Sequence, residues 1–429
     1  MATTDAAVQL HELLQNEIAS ACSQKKNVFV LLSGGLDSRI VGGITSNLIR
    51  SGDIVGDLTF VTWGRDDSRD VSYAKKIAEL LDHPIIHLDL TSRHLLNNIN
   101  LAANTLGCLT SPIHLHRMDW FESVPKESIV LAGSYGDSVG RAEYARQHII
   151  ELELHNPINR FNLIEQSIFA MGSSQLLGDL EFLHNRSKQE DRYILCEIEM
   201  QAHYMRNLIA HTMGIIRNNC DLYQVFTAPS VYSYMWSLHP VLRRNNIYKA
   251  ILPMINAELA CFPWARTNKS LGWKTKHADA HLKKQYHDYH KWISKDLFDV
   301  LYSQIDFDAL KNIGIFSIPK IKELCSSINK GDYEYLGPDL FVWFVSLCKF
   351  IDIVTSTTQI VPNTESRNSS NHVGTNRYRI NAVKKNLKRF RFLVWIVRSI
   401  YRIKKAVKLV LSLAHYPPKR ATKGHRKTL

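Results

Sequence analysis

Leu31-Leu32-Ser33-Gly34-Gly35-Leu36-Asp37-Ser38 joins a continuous apolar run, Val28–Leu32, to an apolar helical pattern, Ile40–Ile49. A run without polar alternation suits a strand buried on both faces. The glycines allow a tight turn and bring backbone N–H groups close to an anion, and the start of the following helix adds a favourable dipole. Ser33 and Ser38 offer hydroxyl donors to phosphate oxygens. Asp37 is a poor phosphate contact by itself but a good ligand for a hard cation such as Mg2+ carried with a nucleotide. The chain has no G-x-x-x-x-G-K-[ST] and no G-x-G-x-x-G, so Walker-type NTPases and dinucleotide-dependent oxidoreductases lack their fingerprints.

Outward from this loop the pattern alternates. Thr4–Ser23 reads as an amphipathic helix through Leu10, Leu13, Leu14 and Ile18. Asp57–Trp63 reads as a strand, Val71–Leu81 as a helix, and Pro84–Leu88, Ser128–Ala132 and Leu222–Phe226 as further strands. Strands alternating with helices predict an α/β fold with a doubly wound parallel sheet and right-handed crossovers. Residues 156–218 look mainly helical, and the helical reading continues from Lys274 to about Ile360. The expected divisions are an N-terminal helix (1–24), the sheet domain (25–275), a helical extension (276–362), an Asn/Ser/Thr-rich linker (363–378) and a basic amphipathic tail (379–429).

About a hundred residues after the first loop, Ile129–Ala132 runs into Gly133-Ser134-Tyr135-Gly136-Asp137-Ser138-Val139-Gly140-Arg141. A second glycine-rich loop after a buried strand would bring Asp137 to the same sheet edge as Asp37. Two carboxylates around a metal–nucleotide complex can offset charge as a phosphate group leaves.

Ser33–Ser38 resembles the pyrophosphate loop of N-type ATP pyrophosphatases, whose fold is that of the adenine nucleotide α-hydrolases. The second loop is similar to the Gly-x-Gly-x-Asp-Glu-x-x-Gly-Gly segment of asparagine synthetases, with Asp137 at the metal-binding position. Ser134, Ser138 and Arg141 depart from that segment; the departures leave the metal role intact and bear on the acceptor substrate. Thr59–Gly64 resembles the strand whose end, at Trp63, contacts adenine, and Asp70-x-x-x-Ala74 resembles the acidic start of the following helix.

The stretch from Thr227 to Lys269 is similar to the family's order of elements, with Tyr232 where the family has Asp. It ends on a loop lysine matched by Lys269, with Arg266 as the alternative cation. The resemblance implies ATP and Mg2+, with nucleotide contacts from Leu32, Ser33, Gly34, Gly35, Asp37, Ser38, Trp63, Gly133, Ser134 and Gly136. Metal ligands would be Asp37 and Asp137, and Lys269 or Arg266 would stabilise charge on the α-phosphate. The implied reaction is adenylation of a carboxylate followed by amide formation.

Glutamine-dependent members begin with a glutaminase domain whose nucleophile is an N-terminal Cys. This sequence begins Met1-Ala2, so the expected nitrogen source is ammonia, a separate glutaminase or the amine of a larger acceptor. Two rivals stay open: another ATP-pyrophosphatase branch, and a non-catalytic nucleotide-binding scaffold tethered by the tail.

The net charge of +13 is unevenly spread. Seventeen of the 53 Lys and Arg follow Asn376, and the rest of the chain is mildly acidic, so nucleic acid is not the expected partner of the globule. The basic amphipathic stretch 379–413 suits an anionic membrane surface. Seven scattered cysteines without a Cys-x-x-Cys point to a reducing compartment, and the expected location is cytoplasmic, with peripheral attachment at the inner membrane face as an option. His277, His281, His287 and His290 are expected on one solvated helix. His114-Leu-His-Arg-Met-Asp119 is expected to be structural, with a substrate contact as the alternative.

Overall fold

Five strands, β1 (Asn27–Leu31), β2 (Asp57–Trp63), β3 (Ile85–Leu88), β4 (Ile129–Ala132) and β5 (Asp221–Gln224), form one parallel sheet in the order β3-β2-β1-β4-β5. The computed structural model describes residues 3–143, 155–188 and 191–359; the expected linker and basic tail lie outside them. Side-chain alternation sets the layers. Val28, Val30, Leu58, Phe60, Ile129 and Leu131 point into one core, while Leu31, Val61, Val130 and Ala132 point into a second core on the opposite face. The apolar runs have no polar face because both sides of the sheet are covered, and the fold is the expected doubly wound α/β architecture.

Helices α1 (Thr3–Cys22) and α2 (Leu36–Ser51) cover the first face with α3 (Arg69–Leu81), and α4 (Ser92–Leu101) lies beyond β3 in the chain. Then come α5 (Gln166–Ser187), α6 (Arg192–Met200), α7 (Ala210–Asn219), α8 (Pro229–Ser237), α9 (Pro240–Ile255) and α10 (Ala257–Cys261). Helix α1 buries Leu10, Leu14 and Ile18 against α2, α8 and α9. In α2, Leu36, Ile40, Ile44 and Leu48 line the buried stripe, and Gly52 at φ 84° closes the helix. Gly43 permits close approach of α9: a Cβ there would stand 2.6 Å from Ile255. A third core gathers Leu95 and Ile99 with Ile293, Leu301, Leu324, Phe341 and Val345. All described residues fall in one compact unit, 1–361. Among them, no helix is long and apolar enough to cross a membrane.

The helix expected from Lys274 is absent until Tyr289. The backbone of the intervening segment spends its hydrogen bonds elsewhere: Lys276 N–H donates to Cys261, Lys283 N–H to Asp67, and the Lys283 and Tyr286 carbonyls accept from Arg69 and Arg65. His277 adopts φ 61° with its ring stacked on Phe262 at 4.5 Å, and His287 packs among aromatic rings. The histidines therefore share no helical face. Tertiary hydrogen bonding overrides the local pattern, since each backbone donor has one partner to choose.

Candidate functional site

The chain leaves β1 toward β2 on one side and returns later to β4 on the other. That reversal lies between β1 and β4, and open α/β sheets bind ligands outside the carboxyl ends of their strands at such a point. A cavity of about 320 Å³ opens there. One wall is the first glycine loop with Leu32, Ser33, Gly35, Asp37 and Ser38; the facing wall is Gly133 and Ser134; Val61, Thr62 and Trp63 at the end of β2 close a third side.

The first loop is braced by its own serines. Ser33 N–H donates to Ser38 Oγ at 3.1 Å, Gly35 N–H donates to Ser33 Oγ at 3.1 Å, and the two hydroxyls lie 3.1 Å apart. The second loop sits directly on it. A Cβ on Gly133 would stand 2.7 Å from the backbone of Asp37 and Ser38, and one on Gly136 would stand 2.3 Å from Asp37 Oδ1. Gly34 and Gly136 thus act by close packing and do not line the cavity, whereas the other eight expected nucleotide contacts do.

Two fully buried arginines hold the loops in place. Arg39, in α2, donates to the carbonyls of Gly34, Leu259, Phe262 and Pro263 at 2.8–3.2 Å, locking the 259–263 segment to the first loop. Burial pulls its pKa down to about 10, still well above neutrality. Arg243 donates to Leu238 and Val139 carbonyls and pairs with buried Glu197 at 2.7 Å, tying α6 and the second loop together. Buried Tyr248 donates its hydroxyl to the Gly136 carbonyl at 3.0 Å.

Arg141 fills ground that the resembled pattern gives to glycine. Its Nε and Nη2 donate to the two Asp37 carboxylate oxygens at 3.4 Å each, Nη1 pairs with Glu143 at 3.3 Å, and the guanidinium stacks on Tyr248 and Trp264. Burial opposes its charge, but Asp37, Tyr248, Glu143 and Asp137 outweigh burial and hold it protonated. Glu143 also pairs with Arg266, which stacks on Trp264. Asp137 Oδ1 accepts from Ser138 N–H at 2.7 Å.

Magnesium prefers hard oxygen donors and is commonly held by one or two carboxylates plus substrate phosphates. Asp37 on the cavity wall supplies such a donor; Asp137, expected beside it, lies on the facing loop but does not line the cavity. The 3.4 Å contacts from Arg141 are longer than a strong charge-assisted bond, so the Asp37 oxygens keep lone pairs for a metal. The Asp37 carboxylate suits a Mg2+ ligand beside a nucleotide.

Lys269 and Arg266 stand off the cavity, both on the exposed turn that follows Trp264. That turn is tied to the first loop by Ala265 N–H donating to Gly34 O at 3.0 Å and is closed by Trp264 N–H donating to Lys269 O at 3.0 Å.

Three titratable lining residues, Asp70, His116 and Tyr286, were not expected there as nucleotide contacts. Asp70, in the first turn of α3, accepts from the Gly34 N–H, and burial raises its carboxyl to about 6. Partial burial pushes His116 down to about 3; its ring lies between Tyr289 OH (3.2 Å) and Tyr286 OH (3.3 Å) and stacks 6.0 Å from Trp63. Tyr286 reaches the wall because Gly64, at φ 125°, lets it in: a Cβ there would stand 2.7 Å from the Tyr286 carbonyl. The Asp-x-x-x-Ala pattern marks Asp70, and the His114–Asp119 stretch marks His116. Nothing local in sequence marks Tyr286, whose segment reads as helix.

Residues 9–140 match the family model described as asparagine synthase. They form an asparagine synthase-type domain. Domains of this type serve ATP-dependent amidation. The matched stretch contains both glycine loops and ends at Gly140; Arg141, Arg266, Lys269 and Tyr286 follow it. No curated protein matches the chain.

Proposed function

We propose that the protein is an ATP-dependent carbon–nitrogen ligase that adenylates a substrate carboxylate and passes the acyl group to an amine or ammonia. The observation that carries this is the cavity at the β1/β4 switch point, with Ser33, Ser38 and Asp37 on one wall and Gly133-Ser134 on the other. In this reading the phosphates lie between the two loops and the base toward Val61, Thr62 and Trp63.

A carboxylate oxygen attacks the α-phosphorus, the bridging α–β P–O bond breaks, and pyrophosphate leaves. The amine then attacks the acyl carbon, AMP departs with the bonding pair, and the nitrogen loses a proton. The Ser33 and Ser38 hydroxyls and the loop N–H groups orient the phosphates, while Asp37 and Asp137 would hold Mg2+, which would offset charge on the leaving pyrophosphate. Arg141 fixes the Asp37 carboxylate from behind. Lys269 acts on the α-phosphate when the turn bearing it folds over bound nucleotide; Arg266 is anchored by Glu143.

The test is incubation with Mg-ATP and pooled carboxylates, assayed for AMP and pyrophosphate, with Asp37→Ala as control. Formation of both, abolished in the variant, supports the ligase. A second reading, a non-catalytic nucleotide-binding protein, is favoured by one observation, the pairing of Arg141 with Asp37. It calls for ATP binding with no AMP formed from any carboxylate.

A further inference from the structure

Away from the nucleotide cavity, three side chains converge on one point. His155 precedes α5, His184 lies in the last turn of α5, and Glu199 lies in α6. Glu199 Oε1 is 2.7 Å from His155 Nε2 and 2.5 Å from His184 Nε2, and one ligand atom from each residue lies within 4.8 Å of the others. None of the three lines the cavity.

Burial gives the cluster a direction. The Glu199 side chain is 4% exposed, His184 25% and His155 48%, so the carboxylate forms the floor and the imidazoles close over it from the solvent side. A carboxylate withdrawn from water needs a cation or several donors. Both histidines aim the same ring nitrogen at a single carboxylate oxygen, which sets three ligand atoms around one small space. Two imidazole nitrogens with one carboxylate oxygen, and an open side toward solvent, is a donor set for a borderline-soft divalent ion, not for Mg2+ or Ca2+. His203 stands one helical turn beyond Glu199, within its electrostatic reach.

The packing of α5 gives a second reason. Of its 22 residues only Leu180 is buried, while Leu177 and Phe182 are exposed. Helices of globular proteins are normally held by a buried apolar face; that of α5 is shallow, with Phe169, Leu176 and Leu183 half-buried beside Leu180. The contact of His184 with Glu199 adds a polar tie between α5 and α6, and shared coordination would make it a strong one.

We infer that His155, His184 and Glu199 form a binding site for a divalent transition metal, Zn2+ by the chemistry of its donors, which fastens α5 to α6 and keeps a fourth position open to water. Coordination replaces the two hydrogen bonds to Glu199 by three metal–ligand bonds.

Untagged full-length protein, stripped with chelator, is titrated with Zn2+ and separately with Co2+. One equivalent of Zn2+ per chain is expected, with tetrahedral d–d absorption from Co2+. Glu199→Gln and His184→Ala should each weaken binding by on the order of 100-fold or more, since even groups that only support a ligand cost up to that. His281→Ala, exposed and outside the cluster, should leave it unchanged. Metal-free variants must match the metal-free parent in far-UV circular dichroism; where His184→Ala fails that control, His155→Ala carries the test. Absence of saturable binding, or binding retained in folded Glu199→Gln and histidine variants, overturns the site. Hydrogen exchange across α5 should slow on adding Zn2+, and unchanged exchange with metal bound overturns the fastening role.

Discussion

Replacing Asp70 by Asn should make the protein more stable at neutral pH and less able to use ATP. Asp70 sits in the first turn of α3, where the helix dipole favours an anion, and Gly34 N–H donates to it. Burial outweighs both and raises the carboxyl from 3.8 to about 6. Below pH 3.8 the group is protonated whether the chain is folded or not. Between 3.8 and 6 the folded chain holds a proton that the unfolded chain has released, so stability falls as pH rises. Above 6 the whole cost is present, about 3 kcal/mol at about 1.4 kcal/mol per pH unit.

Asn keeps an oxygen for the Gly34 N–H and carries no charge. Asp70→Asn should therefore gain about 1–3 kcal/mol at alkaline pH and nothing below the ordinary carboxylate range. Urea unfolding followed by tryptophan fluorescence across that range measures the difference. A gain that does not change with pH, or a loss at alkaline pH, would refute the desolvation argument. Pyrophosphate release should move the other way and fall, because a carboxylate kept at such a cost on a cavity wall fits the trade between stability and function.

Three further outcomes are expected. His116, pushed down to about 3, destabilises the fold as pH falls from 6.5, where the unfolded chain takes up a proton and the folded one does not; His116→Gln should flatten that acid limb of a melting-temperature profile. Gly136→Ala drives a methyl to 2.3 Å from Asp37 Oδ1, so about 1–3 kcal/mol of stability and at least roughly tenfold of ATP affinity should be lost, read by calorimetry and nucleotide titration. Arg243→Met strands buried Glu197 and should cost about 3–5 kcal/mol in denaturant unfolding, with Glu197→Gln added to it recovering part of the loss.

The sheet was legible because its strands announce themselves: Val28–Leu32 and Ile129–Ala132 are apolar without interruption, and each runs into glycine. The first loop was legible for the same reason, since Ser-Gly-Gly-Leu-Asp-Ser concentrates small, donor-bearing residues where a turn must form. What was hidden depends on contacts across long sequence separations. Arg39 and Arg243 look like ordinary helix-surface cations until their carbonyl partners are known, and Tyr286 reaches the cavity through backbone pairing with the 64–69 segment. The periodicity of 277–290 misled because it reports side-chain type, while the fate of that segment is set by where its N–H and C=O groups find partners.

The two departures in the second loop belong to one electrostatic change. Ser138 removes a carboxylate from the resembled pattern and Arg141 adds a guanidinium, so the loop gains two positive charges relative to it. Arg141 does not line the cavity; it reaches Asp37 from behind, across Tyr248 and Trp264, with Glu143 as counter-charge. The added charge therefore falls on Asp37, the carboxylate proposed to bind the metal. A guanidinium 3.4 Å away holds Asp37 in one rotamer and lowers its negative potential. Preorganisation of this kind lowers the reorganisation needed when phosphates arrive, while the lowered potential weakens the pull on Mg2+. Removing the guanidinium separates the two effects: Arg141→Ala should bind Mg2+ more tightly and yet turn over more slowly.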